Sequence, residues 1–462
     1  MRFSNKTMLI LFFTLAALLG GCGIQGAAHR PAEAPDRERR EISIYITNDV
    51  HFLAPSLHDM GQLYRRLASG SDGKNIEALP ALLGALSMTV EAEKPDILLV
   101  NGDLTFNGER QSHESLARYF EELEKTGIQV FVLPGNHDIS NPFARGFFNN
   151  ELRAVPSVSP GEFAAIYRNF GFAGALSRDR GSLSYVAEPF PGLRLLMLDS
   201  CKYTNNRTLG FPELGGAFSE ATRKWIRGEA EKARRDGALL VASLHHNIMD
   251  HHPLINEGFT IDDAESFQDL LAGEGIQFVL SGHIHAQEIS TRQREAGAVY
   301  DIATSALAVY PHQIGVLTAA PAAASPGPSS ERSSAWEWRY AVKALDVESW
   351  ARVVGLADER FLDFSQKSRD YFMMVSGNMA RRRLSTSSLS DEEIEALSSL
   401  MGLLNSRYFS GTSYLNAQDV PASLGYRLLQ EHDYEFFSSY VRTIMEDRPP
   451  RDTELTIRIP ER

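Results

Sequence analysis

Cysteine is nearly absent: Cys22 and Cys201 are the two in 462 residues. A disulfide framework is therefore excluded as the source of stability, and a multi-thiolate zinc site is disfavoured with it. Positive charge is also in deficit, with 46 Lys and Arg against 59 Asp and Glu. Long polyanions are gripped by clustered Lys and Arg, so no nucleic acid polymer is expected as a partner. Long apolar runs are scarce too. The run from Met8 to Leu19 falls short of the roughly 20 residues that a membrane span needs. What is present is 43% hydrophobic residues, enough at this length for the cores of more than one domain.

The amino terminus reads as a targeting segment. Arg2 and Lys6 flank the apolar run on one side, and Leu19-Gly20-Gly21-Cys22 closes it. That ending resembles the lipobox of bacterial lipoproteins. The resemblance implies that 1–22 is a signal peptide, that Cys22 is lipidated, and that the exported protein is anchored to the outer face of the cell membrane. Each buried methylene of such an anchor contributes about 0.8 kcal/mol. An acylated Cys22 leaves Cys201 without a disulfide partner. Residues 23–40, rich in Ala, Pro, Arg and Glu without apolar period, read as a flexible tether.

From Glu41 short apolar runs alternate with amphipathic stretches. Strands are expected at Ile42–Ile46, Asp96–Val100, Gln129–Leu133, Leu193–Leu198, Ala238–Leu244 and Ile276–Leu280. Helices are expected near Ile76–Glu93, Ser112–Lys125, Ser219–Arg235 and Asp262–Ala272. The alternation argues for an α/β (α+β) fold with helix-covered sheets. A catalytic domain over 41–349 is expected to contain a mobile loop at 318–334, which is mostly Ala, Pro, Ser and Gly. Residues 350–462 read as a small helical domain, with Ser390 as N-cap of an amphipathic stretch.

Five of these strands each run straight into metal-competent side chains. In order they reach Asp49-Val50-His51, Gly102-Asp103, Gly135-Asn136-His137-Asp138, His245-His246, and Gly282-His283-Ile284-His285. Any one of these motifs alone is commonplace, but all five in order, each after a strand, are not. Carboxylate, imidazole and amide oxygen suit Mn²⁺, Fe or Zn²⁺. The series resembles the calcineurin-like metallophosphoesterase superfamily. This implies a four-layer β-sandwich flanked by helices, with a centre of two divalent cations for which Mn²⁺ is the metal expected to serve in vitro. By motif, Asp49, His51 and His285 hold one cation, Asn136, His245 and His283 the other, and Asp103 bridges them. Of His245 and His246 the residues alone do not choose; the family's habit points to His245. The resemblance also implies attack by a metal-bridging hydroxide, with His137 as general acid. Asp138 either orients that imidazole or serves the turn.

Absences narrow the ester. Gly102-Asp103 continues Leu104-Thr105-Phe106-Asn107, without the V-D-R-G run of the protein serine/threonine phosphatases. The short helical carboxyl end differs from the large substrate domain of the 5′-nucleotidases. The chain is most similar to the class III cyclic nucleotide phosphodiesterase branch, which implies a small phosphodiester substrate, first a cyclic nucleotide. A phosphomonoesterase, another small-diester hydrolase and a non-enzymatic surface lipoprotein are the alternatives, though a degenerate binder would have lost ligands. His113 is expected on a helix surface, His251 and His252 on a substrate-side loop at least as much solvated as functional, and Tyr310 and His312 as possible pocket residues. Met373, Met374 and Met379 read as helical core.

Overall fold

A computed structural model describes residues 41–70, 73–322, 335–385, 389–431, 434–445 and 450–460. Cys22, the signal segment, the tether and 323–334 lie outside them.

Six strands form the first sheet: β1 (Ile42–Thr47), β2 (Ile97–Asn101) and β3 (Gln129–Leu133), then β13 (Gln313–Pro321), β14 (Ala335–Ala344) and β15 (Glu454–Pro460). Their order is β15-β14-β13-β1-β2-β3, with β1, β2 and β3 parallel. A hairpin, β4 (Arg145–Phe148) with β5 (Glu151–Ala154), stands apart. The second sheet holds β6 (Ser177–Arg178), β7 (Tyr185–Phe190), β8 (Leu193–Leu198), β9 (Leu239–Leu244), β10 (Phe278–Ser281), β11 (Glu288–Arg294) and β12 (Gly297–Ala303). It runs β11-β12-β10-β9-β8-β7-β6, with β8, β9, β10 and β12 parallel.

The two sheets face one another, and strand period explains the packing. In β8, Leu193, Leu195 and Met197 enter the core shared with the first sheet, while Leu196 and Leu198 enter the core under the outer helices. In β10, Phe278 and Leu280 face inward and Val279 outward. A strand buried on both faces is apolar at most positions, which is why these segments read as near-continuous runs, with Arg194 and Ser281 as the exceptions. Helices Glu220–Arg235 and Ala264–Glu274 cover one outer face, and Leu79–Glu93 and Arg110–Glu124 belong to the other side.

Helices Phe364–Leu384, Asp391–Phe409, Leu424–Glu431 and Glu435–Met445 build a third, separate core. Ser390 caps Asp391–Phe409 in a reciprocal box with Glu393, worth about 0.5–2 kcal/mol. Two boundary expectations need correction. Residues 318–321 are not loop: they finish β13, with Ala319 opposite Trp338 and Pro321 opposite Trp336. Nor is the carboxyl end all helical, because β15 returns to the first sheet and sets Ile457 against the buried Trp338. The alternation Leu455, Ile457, Ile459 is the signal for that strand.

Candidate metal centre

The carboxyl ends of β1, β2, β3, β9 and β10 converge, and the loops that leave them carry the metal-competent side chains. The loops turn sharply. Asp49, His51, Asp103, His283 and His285 all have positive φ, from 46° to 69°, a conformation costing of order 1–3 kcal/mol for an L-residue. Backbone bonds between loops hold them there: Asp49 N–H to Gly102 O (3.0 Å), His51 N–H to Asp103 O (2.9 Å), Gly282 N–H to His245 O (3.0 Å). Glycine is required where loops touch. A Cβ on Gly282 would lie 2.2 Å from Asn48 Nδ2, and one on Gly135 2.1 Å from the Asp103 nitrogen.

Asp49 Oδ1 lies 3.4 Å from His285 Nε2 and 3.9 Å from His51 Nε2, and those two nitrogens are 3.1 Å apart. Asp103 reaches both sides, with Oδ2 3.7 Å from His51 Nε2 and Oδ1 3.5 Å from His245 Nε2. His245 Nε2 is also 3.1 Å from Asn136 Oδ1. The donors form two groups, Asp49, His51, Asp103 and His285, and Asp103, His245 and His283, each able to hold a metal ion and sharing Asp103.

The residues fit cations. Asp49 Oδ1 is buried without a hydrogen-bond partner among the described residues, beside two imidazole nitrogens that face each other. Burial, then the charge of Lys74, holds His51 well below the ordinary imidazole range. Burial, then His246 and His245, does the same for His283, so both rings offer lone pairs. For Asp49 burial works upward, but His285 and His245 outweigh it and the carboxyl lies below its usual range. The lone pairs of His51 and His283 beside the Asp49 carboxylate make a place for a cation.

His137 stands on the open side. Its side chain is 27% exposed, against 0% for His51 and His245. Phe106 O at 2.9 Å and Asn107 Oδ1 at 3.2 Å take the Nδ1 proton. Nε2 is left facing the centre, 3.9 Å from Asp103 Oδ2.

Comparison with known proteins decides the family. The model of the calcineurin-like phosphoesterases matches residues 42–287, more than half of the chain. The chain belongs to that family. It is a metal-dependent phosphoric ester hydrolase, as the sheets and the donor set required. A second model, the C-terminal domain of cyclic nucleotide phosphodiesterase, matches residues 346–450. A probable cyclic nucleotide phosphodiesterase of Rhodococcus erythropolis is 25% identical over 282 residues, 60% of this chain and 73% of that one. A probable glycerophosphodiester phosphodiesterase of Arcobacter nitrofigilis is 24% identical over 200 residues, 42% of this chain and 57% of its own. Among solved structures, a dimetal phosphatase from Danio rerio aligns at 14% identity and TM-score 0.44, covering 66% of this chain and 95% of that one. A purple acid phosphatase from yellow lupin aligns at 13% and 0.38, covering 66% and 52%.

Within this phosphoesterase several residues left open by the sequence have definite contacts. His245, not His246, faces the donors: His246 spends Nδ1 on Ser200 Oγ (2.8 Å) and Nε2 on Leu214 O (2.9 Å). Asp138 does not orient the His137 ring. Its carboxylate accepts the N–H groups of Leu104, Thr105 and Gly135 and the Thr105 hydroxyl, which is the turn role. His113 is not on the surface; it is fully buried, bonded to Tyr167 OH and Asp138 O. His252 is buried as well, and Tyr310 and His312 pack on Phe372, Ser368 and Phe364 of the helical domain. Of the three methionines, Met374 and Met379 are exposed rather than core. Three contributors escaped the sequence: Asn107, Lys74, whose charge also lowers His137 behind the larger effect of burial, and Asp301. Asp301 accepts Ser281 Oγ–H at 2.6 Å and the Ile248 N–H at 2.7 Å beneath the β9 and β10 loops. A carboxylate in the middle of a buried strand was its only signal.

Proposed function

We propose that this phosphoesterase hydrolyses a small phosphodiester, and that a cyclic nucleotide is the substrate to test first. The observation that carries this reading is the pairing of the two donor groups that share Asp103 with a helical domain matching that of cyclic nucleotide phosphodiesterases. The Rhodococcus relative supports it. A glycerophosphodiester is the second reading, supported by the Arcobacter relative.

Asp49, His51 and His285 would hold one divalent cation, Asn136, His245 and His283 the other, with Asp103 shared. When bound, the pair supplies acidified water and offsets charge on the phosphoryl oxygens. His137 protonates the departing alkoxide. Phe106 O keeps the Nδ1 proton in place, so the proton exchanged with substrate sits on Nε2. The test compares bis-p-nitrophenyl phosphate with p-nitrophenyl phosphate in added Mn²⁺, followed by cyclic nucleotides and glycerophosphodiesters. Faster diester turnover and hydrolysis of 2′,3′- or 3′,5′-cyclic nucleotides is expected. Preference for the monoester refutes the diesterase reading, and activity on glycerophosphodiesters alone replaces the substrate. His137→Ala should lower turnover about 10²–10⁴-fold on alkyl leaving groups, and much less on p-nitrophenolate, which leaves without a proton.

We further propose export and lipid anchoring at Cys22. Detergent-phase partitioning that survives Cys22→Ser would refute the anchor.

A further inference from the structure

The Gly282–His285 turn is gripped on both flanks by the helical domain. On one flank the contact runs through the segment that follows β9. Its Gly258 carbonyl takes the Nε2–H of His283 at 3.1 Å, and Phe259 lies against the same ring at 5.2 Å. This leaves His283 Nδ1 as the nitrogen available to the group with Asp103 and His245. Gly258 itself has φ +83°, a backbone conformation that L side chains rarely adopt.

Six residues earlier the same segment is pinned by His252, which is 4% exposed. Its Nδ1 accepts the backbone N–H groups of Leu254 (3.1 Å) and Ile255 (3.2 Å). An acceptor Nδ1 places the proton on Nε2, which donates to Thr443 Oγ1 at 2.9 Å. Thr443 passes its own hydroxyl proton to Tyr440 O at 2.7 Å. The imidazole is stacked on Tyr440, with centroids 5.0 Å apart, and meets the edge of Tyr408 at 5.6 Å. All three partners belong to the helical domain. On the other flank Gln287, two residues past His285, donates its N–H to Phe409 O at 3.1 Å and its amide to Asp452 O at 2.7 Å.

We propose that His252 is a positioning residue through which the helical domain sets the orientation of His283, so that this domain is a working part of the metal centre. One ring closes the local turn over 252–255 with Nδ1 and reaches the second domain with Nε2, and three residues past that turn the same segment presents the Gly258 carbonyl to His283. Groups that orient a ligating imidazole tune its metal affinity. The inference rests on His283 being a ligand, as the site reading has it.

The test is calorimetric titration of the metal-free full chain with Mn²⁺, which needs no turnover. Wild type should bind two ions. In His252→Ala the affinity of one ion should fall about 10–100-fold while the other is unchanged, and excess Mn²⁺ should restore hydrolysis. Thr443→Val removes the hydroxyl and keeps the shape; His252→Asn keeps an acceptor for the two amides and gives up the reach to Thr443. Both should weaken the same ion by a smaller factor, and they decide the matter if His252→Ala does not fold. Unchanged affinities in these two variants, or equal weakening of both ions, would overturn the proposal. A wild type that binds no Mn²⁺ would instead overturn the reading of the site.

Discussion

Asp138 is the most instructive residue to remove, because its neighbours in sequence suggest catalysis and its contacts show construction. One oxygen accepts Leu104 N–H (3.1 Å) and Gly135 N–H (2.8 Å); the other accepts Thr105 N–H (2.9 Å) and Thr105 Oγ1–H (2.9 Å). It thereby ties the loop bearing Asp103 to the loop bearing Asn136 and His137. Burial, then the Asp103 charge, pushes this carboxyl up to about 7, against the donors that favour the anion. Asp138→Ala leaves three buried N–H groups without acceptors, at about 1–3 kcal/mol each. Allowing for water entering the gap, the loss should be about 3–5 kcal/mol by the same scale, a large part of the roughly 5–15 kcal/mol that holds a domain together. Asp138→Asn keeps one acceptor oxygen and turns an N–H group toward Thr105 N–H, so about half of that loss is expected. The assay is urea denaturation with chelator present, so that metal binding does not enter the comparison. A loss below about 1 kcal/mol in the alanine variant would refute the reasoning. So would an asparagine variant of normal stability whose pH–rate profile shifts, since that would make Asp138 the partner of His137 after all.

Glu109 supplies a pH signature away from the metal donors. Burial raises its carboxyl from the ordinary value to about 7, so the folded chain holds that proton more tightly than the unfolded one. The sign follows: its stabilising contribution is complete below pH 4.5 and is lost as pH rises through 7, about 3 kcal/mol in all. Glu109→Gln should therefore melt higher than wild type at pH 8 and alike near pH 4.5; parallel melting curves across the range would exclude this. His245→Ala should reduce bound Mn²⁺ from two ions to one and abolish hydrolysis, whereas His246→Ala should retain both ions, as measured by metal analysis of the purified variants. The reverse pattern would move the ligand to His246. Ile457→Asp, opposite buried Trp338, should cost about 3 kcal/mol or more by burying an unpaired carboxylate, whereas an end that did not pair would tolerate the change.

The parts of this protein legible in its sequence are those in which neighbours along the chain decide the outcome. Gln129–Leu133 and Leu193–Leu198 have the strand bounds expected of them, because a strand covered on both faces leaves a nearly continuous apolar run, here broken only at Gln129 and Arg194. The side chains proposed as metal donors were found together for a related reason: each sits directly after its strand, so topology gathers them without help from the intervening chain. Legibility fails where burial is conferred from far away. His113 is buried by Tyr167, 54 positions on, and His252 by Thr443, 191 positions on. No periodicity within either segment announces those partners. Asp138 was open for a different reason: adjacency to His137 suggested a partnership as readily as a turn, and only the fold shows its oxygens taken by Leu104, Thr105 and Gly135. β15 failed because a run of helices biased the reading of a seven-residue strand whose alternation was visible. Each strand end presents donors by local rule, yet their final orientation depends on contacts such as Gly258 to His283 that only the assembled domains supply. A motif therefore names which side chains the strand ends gather, and on the proposal made above the distant helical domain enters in determining how they are held.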